Sequence, residues 1–298
     1  MNEKYATLEE YVPGEQPTDM KYIKLNTNES PFKPSPLVYE ALNRCEIDKL
    51  PLYPDPECGS LTKKLADYYG FDEENIFIGN GSDEVLNFAF MAFCQNGVAF
   101  ADITYGFYKV FADLHGIETQ IIPLKDDFSI SADDYKSLGK AVFIANPNAP
   151  TGMALSLSDI EKIVASNTNN VVIIDEAYVD FGGESAVNLV KKYDNVLVVR
   201  TYSKSRSLAG GRLGFSIGGK EITADLKKLK YSTNPYNINR LTLLAGEASI
   251  DDEKYFRDNI NKIIENREYT SKELKNMGFE VLPSKTNFVF ARSKNIDG

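Results

Sequence analysis

With 298 residues, 43% hydrophobic and 26% charged, the chain carries enough apolar material for a sizeable core and one or two domains. A net charge of −10 without any basic block argues against nucleic acid as the main partner, although local arginines and helix N-termini can still bind small anions. Three widely spaced cysteines (Cys45, Cys58, Cys94) and the single His115 argue against a metal centre and a Ser-His-Asp triad. With no signal peptide and no apolar stretch of spanning length, the expectation is a cytoplasmic protein without membrane contact.

Residues 1–50 are rich in Pro, Asn and Glu, with one helical pattern at 35–45. From 51 to 235, strand-like apolar runs recur at 75–78, 97–101, 119–122, 141–145, 171–175, 196–200 and 212–217, with helix-like stretches at 82–93, 105–115 and 156–166 between them. Alternation of this kind predicts an α/β domain: a central, mainly parallel seven-stranded sheet sandwiched by helices. After Pro235 the pattern turns helical at 239–250 and through the charged run 251–277, with short strand-like pieces at 279–282 and 287–291. Both ends, 1–50 and 236–298, are therefore expected to form a smaller α+β domain. The apolar run 286–292 reads as a buried strand followed by a polar turn, which predicts that this small domain is incomplete at its C-terminal side.

The chemistry gathers at strand ends, where parallel sheets bind ligands. Lys204 follows the 196–200 run inside Thr201-Tyr202-Ser203-Lys204-Ser205, eight residues before Arg212. A lysine there is a candidate Schiff-base nucleophile, with a hydroxyl beside it and an arginine to hold a phosphate. Asp175 ends Val171-Val172-Ile173-Ile174, and a carboxylate at the end of a buried strand calls for a cationic partner such as a protonated pyridine. In Gly79-Asn80-Gly81-Ser82-Asp83-Glu84 the glycines permit tight geometry, Ser82 is read as an N-cap, and the first-turn N–H groups suit a phosphate ester. Tyr178 is placed to hydrogen-bond a phenolic oxygen and Tyr105 to stack on a ring, while the turn Asn146-Pro147-Asn148-Ala149-Pro150-Thr151-Gly152 offers amides. Each feature also has a plain structural reading: a solvated lysine, an ordinary capped helix, a proline-fixed turn, a structural His115. Their convergence on one sheet edge outweighs those readings and describes a pyridoxal phosphate (PLP) site.

Asn28-Glu29-Ser30-Pro31, Tyr53-Pro54-Asp55-Pro56, the 79–84 turn, 147–152, Asp175-Glu176-Ala177-Tyr178, Ser203-Lys204 and Leu208-Ala209-Gly210-Gly211-Arg212-Leu213-Gly214 together resemble the fold-type-I PLP-dependent aminotransferases of class I/II. Leu25–Pro31 and Leu52–Asp55 are most similar to the histidinol-phosphate aminotransferase group. The resemblance implies that Lys204 carries the cofactor and shuttles a proton, that Asp175 keeps the ring nitrogen protonated, and that Tyr178 completes the catalytic set. It implies that Ser82, Asp83 (through its backbone N–H), Ser203 and Arg212 hold the phosphate, with Gly81, Thr201, Tyr105 and Asn148 also on the cofactor. Tyr53 would reach the cofactor of the neighbouring subunit, making a homodimer part of the site, and Asn28 would face substrate. No metal is implied.

Two departures stand out. The position directly before Pro-Thr-Gly, an asparagine in most relatives, is Ala149, so Asn148 or Tyr178 is expected to serve the phenolic oxygen; Gly211 and Ser205-Arg206-Ser207 also replace a bulkier, apolar loop. The family's carboxylate-binding arginine would lie beyond Gly298. The expected reaction is transamination between glutamate/2-oxoglutarate and a partner such as histidinol phosphate, in histidine biosynthesis. The alternatives are a threonine-phosphate decarboxylase-like PLP enzyme, a truncated PLP-binding subunit with little activity, or a non-catalytic PLP module; the last usually accompanies a DNA-binding segment, and no basic or helix-turn-helix segment precedes residue 30.

Overall fold

Apolar runs rich in Val, Ile and Phe pair into one seven-stranded sheet in the computed structural model, which describes residues 8, 12, 14–16, 19, 20 and 23–293. The strands are β1 (Ile76–Gly79), β2 (Val98–Ala101), β3 (Thr119–Ile122), β4 (Ala141–Ala145), β5 (Val172–Asp175), β6 (Val196–Thr201) and β7 (Gly214–Gly218), in the order β1-β7-β6-β5-β4-β2-β3. All neighbours are parallel except β7, which runs antiparallel to both β1 and β6. β1, β2 and β4 to β7 are buried along their whole length, as a sheet covered on both faces requires. Alternate residues serve two separate cores. Ile76, Ile144, Ile174 and Val198 face one; Phe77, Phe143, Ile173 and Val199 face the other.

The helices are α1 (Pro36–Ala41), α2 (Arg44–Ile47), α3 (Gly59–Tyr69), α4 (Gly81–Phe93), α5 (Phe107–His115), α6 (Leu157–Ser166), α7 (Lys220–Thr233), α8 (Arg240–Asp251) and α9 (Glu253–Asn276). The starts of α6, α8 and α9 follow side-chain capping: Ser156 accepts from the Asp159 amide, Asn239 from Thr242 and Asp252 from Tyr255. The helical pattern at 35–45 is split, because α1 closes at Leu42 before α2 begins. Leu243, Ala245, Ala248 and Ile250 of α8 pack into the same core as β1, β5 and β6, while Phe256, Ile260 and Ile263 of α9 form a small cluster with Phe181.

The C-terminal segment departs from expectation. The continuous strand expected over 286–292 is reduced to Ala291–Arg292 (β9), paired with Glu280–Val281 (β8). Thr286 and Phe288 belong to a turn closed by side chains: Ser284 Oγ donates to Phe288 O at 2.6 Å, and the Thr286 amide donates to Ser284 Oγ. Hydroxyls bonded to nearby backbone compete with ladder formation, and the apolar pattern alone hides this. Residues 294–298, the expected polar turn, lie outside the described residues. The edge where ligands are expected is set by register, since Gly79 and Thr201 both lie opposite Gly214, and Asp175 opposite Ala145 and Val199.

Arg212 is not in a strand. It caps a 3₁₀ turn (Ala209–Gly211) with φ +51°, and β7 starts two residues later. Gly214 is the tightest point of this edge, because a Cβ there would lie 2.3 Å from the Ser82 amide nitrogen. Neither backbone can retreat, so Gly214→Ala is expected to destabilise the protein by about 1–3 kcal/mol, as overpacking does. A thermal melt of the variant checks this; an unchanged midpoint would show that β7 and the α4 terminus can separate without cost.

Candidate active site

The carboxyl ends of β4, β5 and β6 and the loop before β7 enclose a cavity of about 450 Å³, whose walls include Ser82, Asp83, Tyr105, Ala149, Asp175, Tyr178, Thr201, Ser203, Lys204 and Arg212. The floor is Asp175, 5% exposed at the end of a central strand. Its Oδ1 accepts from the Ala177 amide (3.2 Å) and its Oδ2 from the Tyr108 hydroxyl (2.9 Å). Burial pushes its carboxyl up to about 6, although both donors pull it down.

Lys204 stands across the cavity with its Nζ donating to Thr27 O at 2.7 Å and lying 5.7 Å from the Tyr178 ring centre. Burial holds this amine below the ordinary lysine value; the charges of Arg212 and Lys24 act in the same direction, and those of Glu29 and Asp83 oppose it. A desolvated amine is the form of lysine suited to nucleophilic attack.

At the third corner α4 presents its N-terminus. Asn80, not Ser82, is the N-cap, and it makes no side-chain cap bond, so no capping side chain occupies the first-turn N–H groups. Ser82 sits inside the first turn because the chain, with Gly81 at φ +78°, enters the helix two residues earlier than expected. A Cβ on Gly81 would meet Arg212 Nη2 at 2.7 Å, so glycine is what lets the guanidinium lie against this turn. Arg212 Nη2 pairs with Asp83 Oδ2 at 3.0 Å, and the Tyr105 hydroxyl donates to Asp83 Oδ1 at 2.8 Å. The Asp83 side chain therefore orients both the guanidinium and the ring. Thr201 Oγ1 donates to Ser203 Oγ (3.0 Å), which fixes the two hydroxyls on the opposite wall.

Tyr178 is held between two clamps. Buried Arg200 pairs with Glu176 (2.9 Å) and with Asp180, and Ser205 also donates to Asp180 at 2.6 Å, which locks the loop carrying the phenol. The Asn28 amide donates to the phenol oxygen at 3.2 Å, and Phe288 meets the ring edge-on at 5.2 Å. Burial raises the Tyr178 hydroxyl above its ordinary value, partly offset by the Asn28 bond.

Four expected residues are not on the walls: Gly81 lies against the Arg212 guanidinium, Asn28 is turned to the Tyr178 phenol, and Asn148 and Tyr53 are placed elsewhere. Asn148 is 2% exposed, and its amide is engaged elsewhere: Oδ1 accepts from Thr104, and Nδ2 donates to Ile103 O and Thr151 Oγ1. It pins the proline turn instead of facing the cavity, and Ala149 is the residue that lines it. Tyr53 does not line the cavity either; it is 78% exposed and stacks on Tyr236 at 4.6 Å. Tyr108, Glu176, Asp180 and Arg200 escaped sequence reasoning, although an arginine ending a buried strand beside an acidic pair is a readable sign of a buried ion pair.

The arrangement fits PLP: a desolvated amine for the aldehyde, a buried carboxylate for a ring cation, and a helix terminus with arginine and hydroxyls for the phosphate. Comparisons with known proteins agree. The family described as aminotransferase class I and II matches residues 20–295. The histidinol-phosphate aminotransferase of Brachyspira hyodysenteriae is 54% identical over 99% of this chain and 84% of its own length. That of Clostridium acetobutylicum is 54% identical over 97% of this chain and 83% of its own. Among solved structures, the histidinol-phosphate aminotransferase from Sinorhizobium meliloti in complex with pyridoxal 5′-phosphate superimposes with a TM-score of 0.79 at 25% identity, over 88% of this chain and 73% of that one.

Asp175 generates a stability prediction. Its folded value, about 6, exceeds that of the unfolded chain, so its contribution to stability is present below about pH 4 and lost as pH rises through 6. Asp175→Asn in the cofactor-free protein is therefore expected to be more stable than the parent at pH 8, by about 2–3 kcal/mol. The difference should close below about pH 4. Equal melting temperatures at pH 8 would mean that the carboxylate is already compensated.

Proposed function

The chain belongs to the class I and II aminotransferases, which makes it a PLP-dependent enzyme, and from that premise we propose that it transaminates histidinol phosphate with 2-oxoglutarate and glutamate as the second pair, in histidine biosynthesis. The observation that carries the reading is the meeting of Lys204, Asp175 and Arg212 in one cavity at the sheet edge. The substrate side rests on relatives that are 54% identical over nearly the whole chain and bear that name. Among the described residues no helix is long and apolar enough to cross a membrane, and a cytoplasmic enzyme is in keeping with the biosynthetic relatives.

Bound PLP supplies an aldehyde that condenses with amines and a pyridinium that draws electrons from the substrate Cα. In our reading Lys204 Nζ would be the amine that holds the cofactor and the base that takes the proton from the substrate Cα and later returns it. Asp175 holds the proton at the ring nitrogen, and its buried carboxylate gains the cation it lacks. Gly81, Ser82, Asp83, Thr201, Ser203 and Arg212 would hold the phosphate, with the Arg212 guanidinium already oriented by Asp83. Tyr105 stacks on the ring, steadied by Asp83. Tyr178 serves the phenolic oxygen, and Asn148 keeps the task of bracing the turn behind Ala149. Asn28, bonded to Tyr178, stands on the substrate side.

The site is completed by a second copy of the chain. Leu50, Leu52, Tyr53 and Tyr236 are 49%, 65%, 78% and 42% exposed, an apolar surface suited to association, and Tyr53 has no place in its own cavity. A homodimer in which Tyr53 reaches the partner's phosphate accounts for both features.

The test is the visible absorption of the protein with PLP, recorded before and after addition of glutamate and of histidinol phosphate. A pH-sensitive band bleached by both donors is expected; carbon dioxide release from added threonine phosphate, with no bleaching by either donor, would replace the reading by a decarboxylase. Lys204→Ala is expected to remove the band and to lower kcat by at least about a thousandfold, as loss of a covalent and proton-transfer group does. An unchanged spectrum would dismiss Lys204. Tyr53→Phe is expected to weaken PLP retention by about tenfold while leaving the dimer intact, since one hydrogen bond to a charged phosphate is lost. Sedimentation of a fully active monomer would contradict the shared site.

A further inference from the structure

Tyr108 is one of 17 tyrosines, and no motif distinguishes it. It is fully buried on α5, one turn after Tyr105, and packed among aromatic rings: Phe143 at 5.5 Å, Tyr105 edge-on at 5.6 Å and Phe100 at 5.8 Å. An enclosed phenol must place its hydroxyl, and this one donates to Asp175 Oδ2 at 2.9 Å.

The surroundings of Asp175 show what that bond does. Asp83 from α4 and Glu176 from the end of its own strand are like charges, and both work against the ionised carboxylate. Tyr178 faces it from the following turn as a neutral phenol. Among the described residues, the donors to Asp175 are the Ala177 amide at 3.2 Å and the Tyr108 hydroxyl at 2.9 Å, the latter the only side chain. Burial first, and then Asp175, hold the phenol neutral, because an ionised Tyr108 would be a desolvated anion beside a second one.

We propose that Tyr108 is a positioning residue for the reaction: its hydroxyl anchors Oδ2 of Asp175, fixing the carboxylate's orientation and supporting its negative charge at the strand end. The inference rests on the reading of Asp175 as the partner of the ring nitrogen. Tyr108 itself touches neither substrate nor cofactor, since it does not line the cavity. It acts by setting the charge and direction of the group that does. The rings around it make the phenol stiff, so the oxygen is delivered by packing alone, without a second polar anchor.

The test is Tyr108→Phe, which keeps the ring in its aromatic cage and deletes only the donor. In the full-length, cofactor-free protein with ¹³C-labelled aspartate, the Asp175 carboxyl resonance is expected to titrate near 6 in the parent and at least about one pH unit higher in the variant, as loss of a charge-assisted hydrogen bond implies. PLP affinity at pH 7, measured by absorption, is expected to fall about tenfold. The acid limb of the kcat profile should move upward with the titration while KM for glutamate changes little. Replacement of Tyr108 by 3-fluorotyrosine, a stronger donor of nearly the same shape, should shift the titration the opposite way, and this holds the inference open to refutation if the phenylalanine variant folds poorly. An unmoved Asp175 titration in either protein overturns it. The absence of any visible band when the parent meets PLP would overturn the cofactor reading instead, and the two failures are separable because the titration is read without cofactor.

Discussion

A carboxylate buried at the end of a central strand is the constraint around which this molecule is arranged. Asp175 is surrounded by sheet and helices, flanked by the acidic Glu176 and within the field of Asp83, so folding alone does not satisfy its charge. What compensates it in the protein is modest: one amide and one phenol. Glu176, next in the chain, is treated differently, for it receives Arg200, Ser185 and the Ala186 amide and becomes part of a closed ion-pair network. Of two adjacent buried acids, one is saturated by the fold and the other faces a cavity. That asymmetry is what the role proposed for Asp175 rests on.

The opposite corner of the cavity is built by close approach of backbone. Two glycines, at 81 and 214, bring the start of α4 against β7 so tightly that a single Cβ at Gly214 would overlap the Ser82 amide. Arg212 reaches the same spot only because its own backbone adopts the left-handed conformation, which delivers its guanidinium to Gly81 and Asp83. Backbone conformations of this kind carry a cost of about 1 kcal/mol or more, and they persist where surrounding contacts over-determine them.

The mouth is closed by segments distant in sequence. Thr27 and Asn28 both hold positive φ, +57° and +54°, and are tied down from three sides: Lys204 to Thr27 O, Asn28 to the Tyr178 phenol, and Asn287 to Asn28 O. On the far side Arg267 of α9, itself buried, donates to Phe181 O and Thr286 O and so joins the C-terminal turn to the loop that carries Tyr178. The N-terminal segment, the central domain and the last turn therefore meet at one phenol ring.

The sequence by itself determined the parts whose signal is local. Runs of β-branched and aromatic residues specify strands buried on both faces, caps specify helix starts, and the positions of Asp175, Lys204 and Arg212 at strand ends specify a common edge. Tertiary structure decided everything that depends on which way a side chain turns. Asn148, read as facing a ligand, turned to the Thr104 and Thr151 hydroxyls and the Ile103 carbonyl, because a buried amide must find partners and these lie within its reach. The 286–292 run, strand-like by pattern, gave way to a turn closed by Ser284 and Thr286. Tyr108 had no readable motif and Arg200 only the hint of an arginine closing a buried run, since their meaning lies in pairings across 67 and 24 residues that only the packed sheet brings together. Periodicity reports which face of an element is apolar; the direction of a hydrogen bond is settled only when every neighbouring donor and acceptor has been placed.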